Sequence, residues 1–166
     1  MSNHAVDHLI NIIEEETMIY KDLVEISKNK TDVIVKGKVN ELETMTELEQ
    51  SLIIKIGKLE AAREKIVENV CSLLDLDAQS ATISQVLECV EAPQAEKLKQ
   101  KKQDLLSVLD DIMHANEINE KLLKSSIDFI DFSINIMSNS NSDENNYGDS
   151  GKINESKKKT YFDVKL

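Results

Sequence analysis

"LETMTELEQSLIIKIGKLEAAREKIVENVCSL", Leu42 to Leu73, spaces a row of residues by alternating threes and fours: Leu42, Met45, Glu49, Leu52, Ile56, Leu59, Arg63, Ile66, Val70 and Leu73. Eight of these ten are apolar, and that period belongs to a helix packed lengthwise on another helix. Glu49 and Arg63 interrupt the stripe. A charge at such a position either fixes register against a neighbour or lies at the surface with its stem over the seam. The stretch predicts a helix over 40–74 and an all-α fold, because so long an apolar stripe is stable only against other helices.

Upstream, Val6, Leu9, Ile13, Glu16, Tyr20, Leu23, Ser27, Lys30 and Ile34 keep the same step and predict a helix over 3–36. Gly37 suits the left-handed residue that closes a helix, and Asn40 with Glu43 has the spacing of a capping box for the next. The alternative is one bent helix through Gly37, at about 1 kcal/mol relative to Ala. Downstream the periodicity breaks from Asp75 to Ser80, and Thr82 with Gln85 offers a capping box for a short helix over 82–90. Pro93 fits the first turn of a last helix over 93–137, where its missing amide costs nothing. At 1.5 Å per residue that helix is about 65–70 Å long, comparable to the first two placed end to end along it. Residues 1–137 are therefore expected to form an elongated antiparallel helical hairpin or coiled-coil bundle, three long helices and one short. Residues 138–166, rich in Ser, Asn and charge, are expected to be a flexible polar tail ending in the alternating "YFDVKL".

In the last helix the row Leu105, Leu109, Ile112, Asn116, Asn119, Leu123, Ser126, Ile130, Ser133 and Met137 reads as a seam with consecutive Asn layers, coverable by a hairpin partner. A second row, Ile118, Leu122, Ser125, Phe129, Phe132 and Ile136, flanks it, and Ile127 and Ile134 edge the other side. Only Glu117, Lys121, Lys124, Asp128, Asp131 and Asn135 remain as a polar face. So wide an arc is either core, buried on several sides, or a groove for a partner helix. If it is a groove, Ile118, Leu122, Phe129, Phe132 and Ile136 would together contribute roughly 8–15 kcal/mol gross on burial. Asn116 and Asn119 would fix register across a hairpin or offer polar contacts to the incoming helix.

The formal net charge is −11, and residues 1–137 carry all of it. Nucleic acid and anionic membrane surfaces, which need clustered cations, are poor partners for such a chain. No signal-peptide pattern and no apolar run of spanning length are present, so a cytoplasmic protein without membrane insertion is expected. Cys71 and Cys89 lack CxxC spacing and are read as reduced structural thiols. His4 and His8 sit one turn apart, and Asp111 and His114 share the spacing of a bundle metal site, but neither pair has the partners such a site needs. HExxH, GxSxG and phosphate-loop motifs are absent. The expectation is a protein without catalytic residues, cofactor or metal.

Several of these segments resemble the FlgN-type flagellar export chaperones. The resemblance runs from Ile34 through "KGKVNELETMTELEQSLIIKIGKLEAAR", through Asn116, Asn119 and "KLLKSSIDFI", to "YGDSG" at 147–151, which is similar to the family's Tyr-Gly-x-x-Gly tail motif, and a closing "FDVKL". It implies a small cytoplasmic chaperone that binds the C-terminal helical region of the hook–filament junction proteins. Such a chaperone prevents their premature assembly and delivers them to the flagellar type III export gate. Asn116, Ile118, Asn119, Leu122, Phe129, Phe132 and Ile136 would then hold the cargo, and Tyr147, Gly148 and Gly151 would touch the gate. The rival reading is a structural or signalling coiled coil that acts by self-association, and homo-oligomers are left open under either.

Overall fold

In a computed structural model that describes residues 2–78 and 81–143, the periodic stretch forms α2 (Val39–Leu73), preceded by α1 (Ser2–Val35) and followed by the short α3 (Ile83–Cys89) and the long α4 (Ala92–Asp143). The chain divides into two units, one ending at Leu123 and one beginning at Lys124.

Both breaks that bound α2 are made by left-handed residues. At Gly37, φ is +64°. The Lys38 amide donates to Val33 O at 3.1 Å and the Gly37 amide to Ile34 O at 3.0 Å, the paired bonds of a Schellman turn. Gly37 is thus a true helix end rather than a bend. The expected capping box at Asn40 does not form: Lys38 is the N-cap of α2, without a side-chain cap bond. The turn is so short that Lys38, whose amide donates the last bond of α1, also starts α2, which therefore begins before Asn40. At the other end of α2, Asp75 adopts φ 54° and the Leu76 amide donates to Cys71 O at 2.9 Å. The box at Thr82 does form, with the Gln85 amide donating to Thr82 Oγ1 and the Thr82 amide to Gln85 Oε1.

Within the first unit α1 and α2 are antiparallel. Glu16 Oε1 lies 3.2 Å from Arg63 Nε and Lys30 Nζ lies 2.6 Å from Glu49 Oε2, so the two ion pairs are fourteen residues, two heptads, apart along both helices. Glu49 and Arg63 thus take the register-fixing role. By contrast, α4 runs parallel to α1: Asp7 meets Gln94, Glu14 meets Lys101, Ser27 meets Asn116 and Thr31 meets Asn119. The expectation that α1 and α2 lie end to end along the last helix is therefore corrected. Antiparallel α2 returns the chain to the start of α1, and the segment carrying α3 turns it there into α4, which runs alongside α1.

Because α1 has neighbours on two sides, it buries more than its predicted stripe. Ala5, Ile10, Ile12, Thr17, Val24 and Val33 are buried in addition. One apolar cluster gathers Val6, Leu9 and Ile13 of α1 with Val70, Val86 and Leu98, tying all four helices together. A second joins Leu23 to Leu52 and Ile56, with Ile112 against it. Along α1, Glu16 falls between the two clusters; it is 2% exposed.

The seam of α4 is corrected by a shift in phase. Leu98, Val108, Ala115 and Asn119 are buried, and Lys101, Leu105, Ile112 and Leu122 are half-buried, a regular three-four series. Leu109 is on its flank and Asn116 is exposed. The predicted row took Leu109 and Asn116, where the structure buries the residues just before them, Val108 and Ala115. The helix also runs on to Asp143 instead of ending at Met137. No Gly or Pro stands between Met137 and Gly148, and Ser and Asn disfavour an existing helix by only about 0.5 kcal/mol each.

Candidate partner surface

The seven residues expected to hold a partner fall into groups with different environments. Asn119 is buried, and its Nδ2 donates to Ser27 O at 2.7 Å and to Ser27 Oγ at 3.1 Å. Its Oδ1 accepts from Thr31 Oγ1 at 2.7 Å, and Asn116 Oδ1 accepts from Ser27 Oγ at 2.8 Å. Both asparagines thus use hydrogen bonds to hold α4 against α1. Ser27, fully buried, provides the small side chain that the bulky Asn opposite it requires. Ile118 is 39% exposed and Leu122 is half-buried.

The second unit is different in kind. Between residues 127 and 137 its helix carries seven large apolar side chains, Ile127, Phe129, Ile130, Phe132, Ile134, Ile136 and Met137, each 42–69% exposed. Ile130 and Met137, expected to be covered by a hairpin partner, are among them. Soluble chains scatter single exposed apolar residues, whereas a contiguous group of this size marks an interaction surface. Ser133 Oγ donates to Phe129 O at 2.8 Å, which turns its hydroxyl back onto the helix. In the first unit, on the polar side of α4, Lys121 Nζ lies 2.7 Å from Glu117 Oε1. That hydrogen bond lowers the Glu117 pKa and raises that of Lys121, so both stay charged at neutral pH.

Tyr147, Gly148 and Gly151, with the whole "YFDVKL" segment, lie outside the described residues. The other groups singled out in the sequence do not gather into a site. The His4 and His8 rings meet edge to face, with centroids 4.8 Å apart. Cys71 is buried and Cys89 exposed, both free thiols; burial, with Asp77 nearby, pushes the Cys71 pKa up, away from thiolate reactivity. Asp111 and His114 are exposed. Among the described residues no three His, Cys, Asp or Glu side chains are placed to hold a metal ion, and no helix is long and apolar enough to cross a membrane.

Fold and surface together define a helical bundle protein whose last helix presents a broad apolar face. The match to the FlgN protein family covers residues 1–155, and the chain belongs to that family, the FlgN-type flagellar export chaperones, which is not a family of enzymes. Its members bind flagellar hook-associated proteins. The chain is also similar to an uncharacterised protein, YvyG, of Bacillus subtilis strain 168, with 26% identity over 129 residues that make up 78% of either chain. No solved structure matches the chain.

Proposed function

We propose that this protein is a cytoplasmic chaperone that binds the C-terminal helical region of hook–filament junction proteins, keeps them from assembling early and hands them to the flagellar export gate. The observation that carries the reading is the run of seven exposed apolar side chains on the last helix, in a family whose members bind hook-associated proteins. At about half of a full side-chain burial each, these residues offer roughly 5–10 kcal/mol gross. After the cost of association this supports binding in the micromolar range or tighter. In the second unit Phe129, Phe132 and Ile136 contact cargo. Asn116 and Asn119 act indirectly, by fixing α4 on α1. Tyr147, Gly148 and Gly151 make the contact with the gate.

Secretion separates the two roles. In cells lacking the native gene, Phe129→Ser with Phe132→Ser should leave junction proteins unsecreted and unbound in the cytoplasm. Tyr147→Ala should leave them bound but unsecreted. Normal secretion by the Phe variant would place the cargo surface elsewhere, and normal secretion by the Tyr variant would remove the tail from the mechanism.

A further inference from the structure

The apolar face of the second unit is too wide for one helix. At about 100° per residue, Phe129, Ile136 and Phe132 fall within roughly 60° of one another and form one ridge. Ile130, Met137, Ile134 and Ile127 form a second ridge, whose centre lies about 145° around the helix from the first. Ser126 and Ser133 sit between them, and the Ser133 hydroxyl is bonded to the helix's own backbone. Lys124, Asp128, Asp131 and Asn135 close the circle as a narrow polar strip. The apolar arc therefore spans about 220°.

The first unit gives a measure of what packed neighbours cover on this same helix. There the inward series from Leu98 to Leu122 falls within about 120°, close to the ordinary width of a stripe that faces a core. An arc nearly twice that width, divided by a furrow of two serines, matches two separate contacts. A single large contact would place its largest side chains at the centre, where this face has Ser126 and Ser133.

We infer that the segment from Lys124 to Asn139 takes two amphipathic helices of the cargo at once, one on the Phe129, Phe132 and Ile136 ridge and one on the Ile127, Ile130, Ile134 and Met137 ridge. The inference rests on the chaperone reading and specifies its partner: a helical segment with two apolar stripes, contributed by one polypeptide, straddling the serine furrow. The polar strip, with one cation and two carboxylates, stays in water.

Hydroxyl-radical footprinting of the unmodified full-length protein, read by mass spectrometry, tests this directly. The probes are a C-terminal segment of a junction protein from the same organism, long enough for two amphipathic helices, and the same segment shortened to the length of one. Native mass spectrometry reports the composition of each complex. The longer segment should slow oxidation severalfold at Phe129 and Phe132 and also at Ile130, Ile134 and Met137, in a complex with a single copy of each chain. The shortened segment should slow it on one ridge and leave the other at its free rate. Protection of one ridge by the longer segment, or of both ridges by the shortened one, would overturn the two-helix inference while leaving the chaperone reading intact. Both ridges already protected in a dimer of the free protein, and unchanged by cargo, would assign the face to a second copy. Absence of any complex would overturn the chaperone reading itself.

Discussion

Asn119 shows how much of this structure depends on a few polar atoms. Its amide makes three hydrogen bonds to Ser27 and Thr31 in a site that is otherwise closed to water, whereas the exposed Asn116 has a single bond to Ser27. Asn119→Ala leaves the Ser27 and Thr31 groups without that partner and should lower stability by about 2–3 kcal/mol, against less than about 1 kcal/mol for Asn116→Ala. Equal urea midpoints for the two variants would show that the network is not what joins α1 to α4. The sequence placed both asparagines in one seam; only the phase of the smaller residues Val108 and Ala115 separates the buried one from the exposed one.

Glu16 illustrates the opposite case. Burial raises its pKa more than the Arg63 charge lowers it, and Glu60 adds a further push upward. Arg63 Nε is close, but Glu16 Oε1 has no donor in hydrogen-bond geometry. A carboxyl whose pKa is higher in the folded state than in the unfolded state binds more protons when folded, so its contribution falls as pH rises from the ordinary value of 4.5 towards the folded value. Glu16→Gln removes that dependence. The stability of wild type minus that of the variant should decline as pH rises above 4.5, measured by urea unfolding across a pH series. A difference that is flat or rises would contradict the assignment.

Among the elements, the three long helices were legible from apolar spacing because that spacing reports which face is buried. For α2 the reading needed no other information: of its ten seam positions only Leu73 is exposed. For α1 it captured one of two buried faces, since a single amphipathic stripe cannot reveal that a second neighbour packs on the other side. Helix order around the bundle was not legible, because the parallel run of α1 and α4 follows from an α2 antiparallel to α1 and leaves no periodic mark. The Gly37 end was half legible: the glycine was recognised, but the start of α2 was misplaced at a polar residue that no longer had a capping role. Two glycines test these local accounts with opposite signs. Gly37→Ala puts a side chain at φ +64° with nothing within 4 Å of its Cβ, so the cost is backbone strain alone, about 1–2 kcal/mol. Gly57 lies inside α2 with equally open space around it, and Gly57→Ala should stabilise by about 0.5–1 kcal/mol. Thermal midpoints that move in the same direction would refute one of the two.

For the whole molecule, the candidate surface was visible in the sequence as surplus apolar residues on the last helix, but not as a surface. Spacing alone does not distinguish a helix buried on several sides from one that is open on them. Exposure of Ile127, Phe129, Ile130, Phe132, Ile134, Ile136 and Met137 separates those cases, and membership of the FlgN family gives the surface its proposed task. The two units differ accordingly: the polar contacts of the first fix three long helices in register, and the second exposes its large apolar side chains, which the proposed function assigns to cargo. Isothermal titration of the purified protein with the C-terminal helical segment of a hook–filament junction protein from the same organism tests that claim most directly. The account predicts saturable, equimolar binding that is lost with Phe129→Ser and Phe132→Ser while the helical circular dichroism is unchanged. Absence of binding at high micromolar concentration, or binding indifferent to those two substitutions, would contradict it.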